Sequence, residues 1–172
     1  RKIVQVRLDR GDLLDDGYLT LAVSTRGSDA GVSRIQLFSG SDDFRTVAVH
    51  IVGRDDHHIG TDVICKDVDG DGQSDLLSSH RSLVTDDGGR AGTITMFHGS
   101  MNHLIGGTIE VATNADRVWK GHDGDTTEWL GEQMMIGDFN DDGVGDLMAT
   151  SRSGIYVFSG LDWTSHVWTA SP

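Results

Sequence analysis

Cysteine and proline are almost missing from this sequence of 172 residues: Cys65 stands alone, and the single proline, Pro172, is the last residue. A lone cysteine excludes an internal disulfide, so packing, hydrogen bonds or metal must hold the fold. Glutamate is nearly as scarce, with 3 Glu against 24 Asp among the 27 acidic residues. Glu favours helices, whereas Asp favours turns and ligand-bearing loops, and this balance argues against a helical protein. Basic side chains number only 14, which leaves a formal charge of −13 and a pI near 4.7. Phosphate binding needs a positive footprint that such a chain lacks, which argues against nucleic acid and equally against an anionic membrane surface. No apolar run approaches the roughly 18 residues of a membrane span; LTLAV at 19–23 is typical of the longest. The sequence opens on Arg1 with neither an initiator Met nor a signal-peptide pattern, as expected of a processed or partial chain.

What is present is glycine, 23 of them, and a repeat. One block recurs: an Asp-rich loop, a short apolar strand, a variable loop, and a strand ending in aromatic-x-Gly. The second copy reads IGTDVICKDVDGDGQSDLLSS followed by GTITMFHG; the third reads LGEQMMIGDFNDDGVGDLMATS followed by GIYVFSG. In both, a glycine (Gly60, Gly131) stands seven residues before the first loop aspartate (Asp67, Asp138). The first copy, GDLLDDGYLTLAVS and RIQLFSG, aligns through Asp12, Asp16 and Gly17 but is degenerate, and its closing Gly40 corresponds to Gly99 and Gly160.

Alternating apolar residues and turn residues divide each block into about four strands, in the middle block 61–66, 75–79, 92–98 and 107–112. Four antiparallel strands per repeat of roughly 60 residues is the build of a β-propeller blade, and the blades are expected at about 1–51, 52–112 and 113–172. Three blades are too few to close a ring of the usual four to eight, so further blades from the same or another chain are expected.

The Asp loops have the pattern of calcium sites. Asp67, Asp69, Asp71, Gly72 and Asp75 form D-x-D-x-D-G-x-x-D, and Asp138, Asn140, Asp142, Gly143 and Asp146 repeat it with Asn in second place. Side chains at positions 1, 3 and 5 of a tight loop converge on one point, and glycine at position 6 permits the sharp turn. Position 7 would add a backbone carbonyl, from Gln73 and Val144, and position 9 a carboxylate, from Asp75 and Asp146. Hard oxygen donors without sulfur or imidazole select calcium, and an adaptable all-protein cage suits it better than magnesium. An EF-hand would need Glu at position 12, where Ser78 and Ala149 stand, and a following helix instead of a strand. In the first copy Leu14 and Thr20 replace two ligands, so the loop around Asp12 and Asp16 is expected to bind calcium weakly or not at all.

With Ile59-Gly60 and Leu130-Gly131 before the strand, followed by the aspartate loop, the blocks resemble the FG-GAP repeats of integrin α-subunit propellers and their relatives. The Gly-Ala-Pro element of that family is replaced here by SSH at 78–80 and TSR at 150–152. The resemblance implies a seven-bladed propeller, an extracellular or cell-surface location and calcium ions that rigidify the blades. It does not name a ligand.

No G-x-S-x-G elbow, H-E-x-x-H or phosphate loop occurs, and no catalytic chemistry is expected. The sequence therefore reads as a calcium-binding adhesion scaffold for a protein or glycan at the cell surface, with variable loops at 80–91 and 113–128 presenting the recognition surface. Two alternatives are an accessory propeller of a secreted lipase, lyase or peptidase, and a structural subunit of a surface assembly. Arg10-Gly11-Asp12 spells an integrin-recognised tripeptide, but Asp12 fits better as the first position of the degenerate loop. His57 and His58 read as a solvated loop, Cys65 as a buried thiol, and Trp119, Trp129, Trp163 and Trp168 as packing residues.

Overall fold

The computed structural model describes residues 3–27, 33–53, 58–80, 91–121, 129–160 and 165–168. The protein is all-β, built as three sheets none of which closes on itself. The first contains β1 (Ile3–Gly11), β2 (Thr20–Gly27), β3 (Arg34–Ser39) and β4 (Val47–Val52) in sequential antiparallel order. β5 (Ile59–Lys66), β6 (Asp75–His80) and β7 (Thr93–Phe97) begin the second sheet. A three-residue strand, β8 (Thr108–Glu110), and a four-residue helix, α1 (Val111–Asn114), come next, ahead of β9 (Arg117–Lys120). β10 (Met134–Gly137), β11 (Asp146–Thr150), β12 (Ile155–Phe158) and β13 (Ser165–Trp168) make the third.

One strand assignment is corrected. The segment 107–112 does not complete the middle sheet; β9 does, antiparallel to β7. β8 instead lies parallel along β4, with Ile51 opposite Ile109. The reason is burial. Ile109 and Val111 join the core between the first two sheets, and the turn at Gly106-Gly107 is tied to β4 by Gly106 N–H to Ala48 C=O (2.7 Å) and His50 N–H to Gly107 C=O (3.0 Å).

Two apolar layers separate the three sheets. Ala22, Ile35 and Leu37 of the first sheet meet Val63, Leu76 and Phe97 of the second. On the other side Leu77, Ile94 and Met96 meet Leu147, Ala149 and Phe158 of the third. Neighbouring residues of a strand point to opposite faces, so Leu76 and Leu77 serve different layers. Every residue of β6 and β7 is consequently buried, whereas β3, covered on one face, alternates half-buried and buried positions.

The sheets join by a repeated device. Gly60 (φ 66°), near the start of β5, and Gly131 (φ 87°), three residues before β10, are both in the left-handed region, where a side chain is strained. A Cβ on Gly60 would lie 2.7 Å from Ser24 Cβ and 3.2 Å from Ile35 Cγ1; one on Gly131 would lie 2.5 Å from Ser79 Cβ and 3.1 Å from Ile94 Cγ1. Ser24 and Ser79 occupy the same position of β2 and β6, and Ile35 and Ile94 the same position of β3 and β7. Each glycine therefore lets one sheet settle on a Ser/Ile pair of the sheet before it. Inner-strand carboxylates add polar ties: Asp9 accepts from the Cys65 N–H at 2.8 Å, and Asp62 from the Met134 N–H at 2.9 Å.

Candidate metal centres

All three Asp loops follow the first strand of a sheet and share one backbone course. Position 4 has positive φ in each (Asp15 51°, Gly70 81°, Asp141 64°), as does position 6 (Gly17 77°, Gly72 90°, Gly143 87°). The first aspartate organises this course by accepting N–H groups from the turn. Asp67 takes Gly70 (2.7 Å) and Gly72 (3.0 Å). Asp138 takes Asp142 (3.0 Å) and Gly143 (2.8 Å), and Asp12 takes Asp16 (3.3 Å) and Gly17 (3.1 Å). Position 5 accepts the N–H two residues on, at Asp71 from Gln73 (2.8 Å) and at Asp142 from Val144 (2.8 Å).

The last aspartate of each full loop is a clamp. Asp75 and Asp146 have no solvent exposure. Asp75 accepts from Val68 N–H and Gly99 N–H, both at 3.0 Å. Asp146 repeats the arrangement with Phe139 N–H and Gly160 N–H, both at 2.9 Å. The loop is thus closed onto the end of the sheet's third strand, and it lies so close that a Cβ at Gly99 would stand 2.9 Å from Ser74 O and one at Gly160 2.2 Å from Gly145 O. Burial pushes the Asp75 carboxyl above its usual range, with the two N–H bonds working against that shift.

In the second loop Asp67, Asp69 and Asp71 bring carboxylate oxygens within 4.8 Å of one another, as the sequence pattern predicts. Three oxygen donors at this separation could hold a hard cation; Asp75, the predicted last ligand, is not part of that group. His98, which the sequence pattern does not single out, forms a second group with Asp69 and Asp75. Its Nδ1 lies 3.0 Å from Asp69 Oδ2 and 3.7 Å from Asp75 Oδ1. The only sequence signal is its place before closing Gly99, where the other repeats have Ser39 and Ser159. Gln73 bonds through its side chain to the Ser100 hydroxyl.

The third loop keeps the frame with one carboxylate fewer. Asn140 accepts from Asp142 N–H at 3.0 Å and donates through Nδ2 to Asp142 Oδ2 at 2.8 Å. Among the described residues no group of three acidic or imidazole ligand atoms forms there. In the first loop Leu14 is fully buried in the core at the second ligand position. Thr20 replaces the clamp, its buried hydroxyl without a hydrogen-bond partner among the described residues, while Asp16 is engaged by the Ser39 hydroxyl at 2.9 Å.

The remaining features have ordinary places. Arg10 is exposed at the end of β1, but Gly11 is buried and both Asp12 oxygens are occupied by the turn. Cys65 is buried, which pushes its thiol up, away from the reactive thiolate. Trp119 packs in the second core with its ring 5.8 Å from Phe158, and Arg152 lies 4.3 Å over the Trp129 ring. His58 joins no ligand group among the described residues. His57, Trp163 and the segments 81–90 and 122–128 lie outside the described residues, and of Trp168 only the backbone place in β13 is described. No protein-family model matches the chain, and no curated protein matches it.

Proposed function

We propose that this chain is a calcium-stabilised propeller segment of the FG-GAP type, a non-catalytic scaffold that binds a protein or glycan at the cell surface. The observation that carries the reading is the shared frame of the second and third loops. Each ends in a buried aspartate clamped by two N–H groups, at the same end of successive sheets that stack through the same glycine contact. Calcium would be held by Asp67, Asp69, Asp71 and Asp75 with the Gln73 carbonyl, and by Asp138, Asn140, Asp142 and Asp146 with the Val144 carbonyl. It would neutralise carboxylates that otherwise repel at close range, and so stabilise the folded chain by mass action. The sheets then act as a rigid support for the segments that vary between repeats.

Titration calorimetry and melting with and without a chelator test this together. Two calcium ions per chain and a melting temperature that rises with calcium are expected. A melting temperature indifferent to excess chelator would refute the proposal.

A further inference from the structure

A cavity of about 200 Å³ lies at the end of β7, between the 3-10 turn Met101–Leu104 and β8. Its floor is apolar: Phe97, Met101 and Ile109 are 2%, 2% and 7% exposed, and half-buried Leu104 forms a wall. Backbone bonds hold its two sides, Met101 N–H to Leu13 C=O and Asp116 N–H to Met96 C=O, both at 2.9 Å. The polar rim is His98, His103, Asn114 and Asp116, and bonds already made decide what each can still offer. His103 Nδ1 lies 3.1 Å from the Ser100 carbonyl oxygen and His98 Nδ1 3.0 Å from Asp69 Oδ2. A carbonyl and an ionised carboxylate only accept, so both Nδ1 atoms carry a proton, and each ring in its neutral form keeps Nε2 as an acceptor. Asn114 Oδ1 is engaged by the Glu110 N–H at 3.2 Å. Asp116 Oδ2 accepts the His98 N–H at 2.9 Å, which leaves Oδ1 as its open acceptor among the described residues. No lysine or arginine is among the described residues that line the cavity.

We propose that this cavity receives a lysine side chain of a partner protein. Its volume is below the roughly 300 Å³ at which small-molecule sites begin, and suits one side chain. The four-carbon stem can lie along the apolar floor while the charged head stays at the wet rim. An ammonium brings three rotatable N–H donors to three separate acceptors, Asp116 Oδ1 and the two imidazole Nε2 atoms. A guanidinium fork wants both oxygens of one carboxylate, and at Asp116 one of them is already engaged. Charge agrees with this choice, since a chain of net charge −13 favours the approach of a basic surface. The inference deepens the scaffold reading, on which the protein partner rests, by naming the group that the partner presents, and it does not depend on calcium.

Nuclear magnetic resonance titration of the full chain with Nα-acetyl-lysine amide tests it, at about pH 8, where an ordinary imidazole is neutral and an alkylammonium charged. Saturable shifts are expected at Gly99 and Leu104 and in the ring signals of His98 and His103. Two analogues should each bind at least about tenfold more weakly: Nα,Nε-diacetyl-lysine amide, which keeps the stem without the charge, and Nα-acetyl-arginine amide. Asp116→Asn retains an acceptor for the His98 N–H and should weaken the lysine amide at least about tenfold as well. Should that variant not fold, the ligand series on the wild-type chain decides the matter. The proposal is overturned if the lysine amide gives no saturable shift, if either analogue binds as tightly, or if folded Asp116→Asn binds it unchanged. Repeating the titration with calcium and with chelator separates the two ideas. Lysine binding by a chain whose melting ignores chelator would defeat only the calcium proposal, and calcium-dependent melting without lysine binding would defeat only this one.

Discussion

Single side chains decide what each loop can hold. Asp67, Asp69 and Asp71 bring their carboxylate oxygens within 4.8 Å of one another, so Asp71→Ala is expected to remove one calcium from the stoichiometry and to reduce the calcium-dependent rise in melting temperature. Asp16→Ala in the first loop should leave the stoichiometry at two, because Leu14 and Thr20 have already replaced its ligands; calorimetry on the two variants checks this contrast. Asp62 makes a separate prediction. Burial raises its carboxyl above the ordinary value of 3.8, against the opposing effect of the Met134 and Val63 N–H groups and of Arg7. The native chain therefore holds that proton to higher pH than the unfolded chain. Its share of stability is fully present below pH 3.8 and is lost as pH rises through the raised folded value. Asp62→Asn can still accept from Met134, and should flatten the fall in stability on the alkaline side of pH 3.8 in a denaturation series.

At the scale of elements, the left-handed glycine at or just before the first strand of the second and third sheets has the sharpest consequence. Gly131→Val would force a branched side chain into Ser79 and Ile94 and into a backbone conformation that valine avoids, with an expected loss of about 1–3 kcal/mol or more in denaturant unfolding. Gly70→Ala, with open space around the same atom, should cost only about 1–2 kcal/mol from its backbone conformation. The seven-residue spacing to the first aspartate made Gly60 and Gly131 legible in the sequence, as did the loops that follow. β8 was not legible, because a three-residue strand is defined by its partner, and the partner edge belongs to another repeat. Its TIE pattern and preceding glycines fit an edge of the middle sheet equally well; only Ile109 and Val111 filling the first core decide the matter. His98 escaped for a different reason: the pattern around the closing glycine fixes an aromatic residue and the glycine, and leaves the residue between them free.

For the molecule as a whole, the middle sheet is the structural coupling between the outer two. Its strands β6 and β7 have no solvent-facing side, and adjacent residues of β6 serve different apolar layers, Leu76 the first and Leu77 the second. Removing either side chain to Ala should cost about 2–5 kcal/mol, since both are fully buried. The middle sheet cannot lose one layer without exposing a face of β6 whose backbone also supports the other. Both variants are therefore expected to lower one common thermal transition, detected alike by far-ultraviolet circular dichroism and by tryptophan fluorescence, whose four residues (Trp119, Trp129, Trp163 and Trp168) all lie in the last third of the sequence. Independent sheets would instead show Leu76→Ala leaving the fluorescence transition in place while the dichroism transition splits, and that outcome would mean that the shared sheet does not couple the two layers.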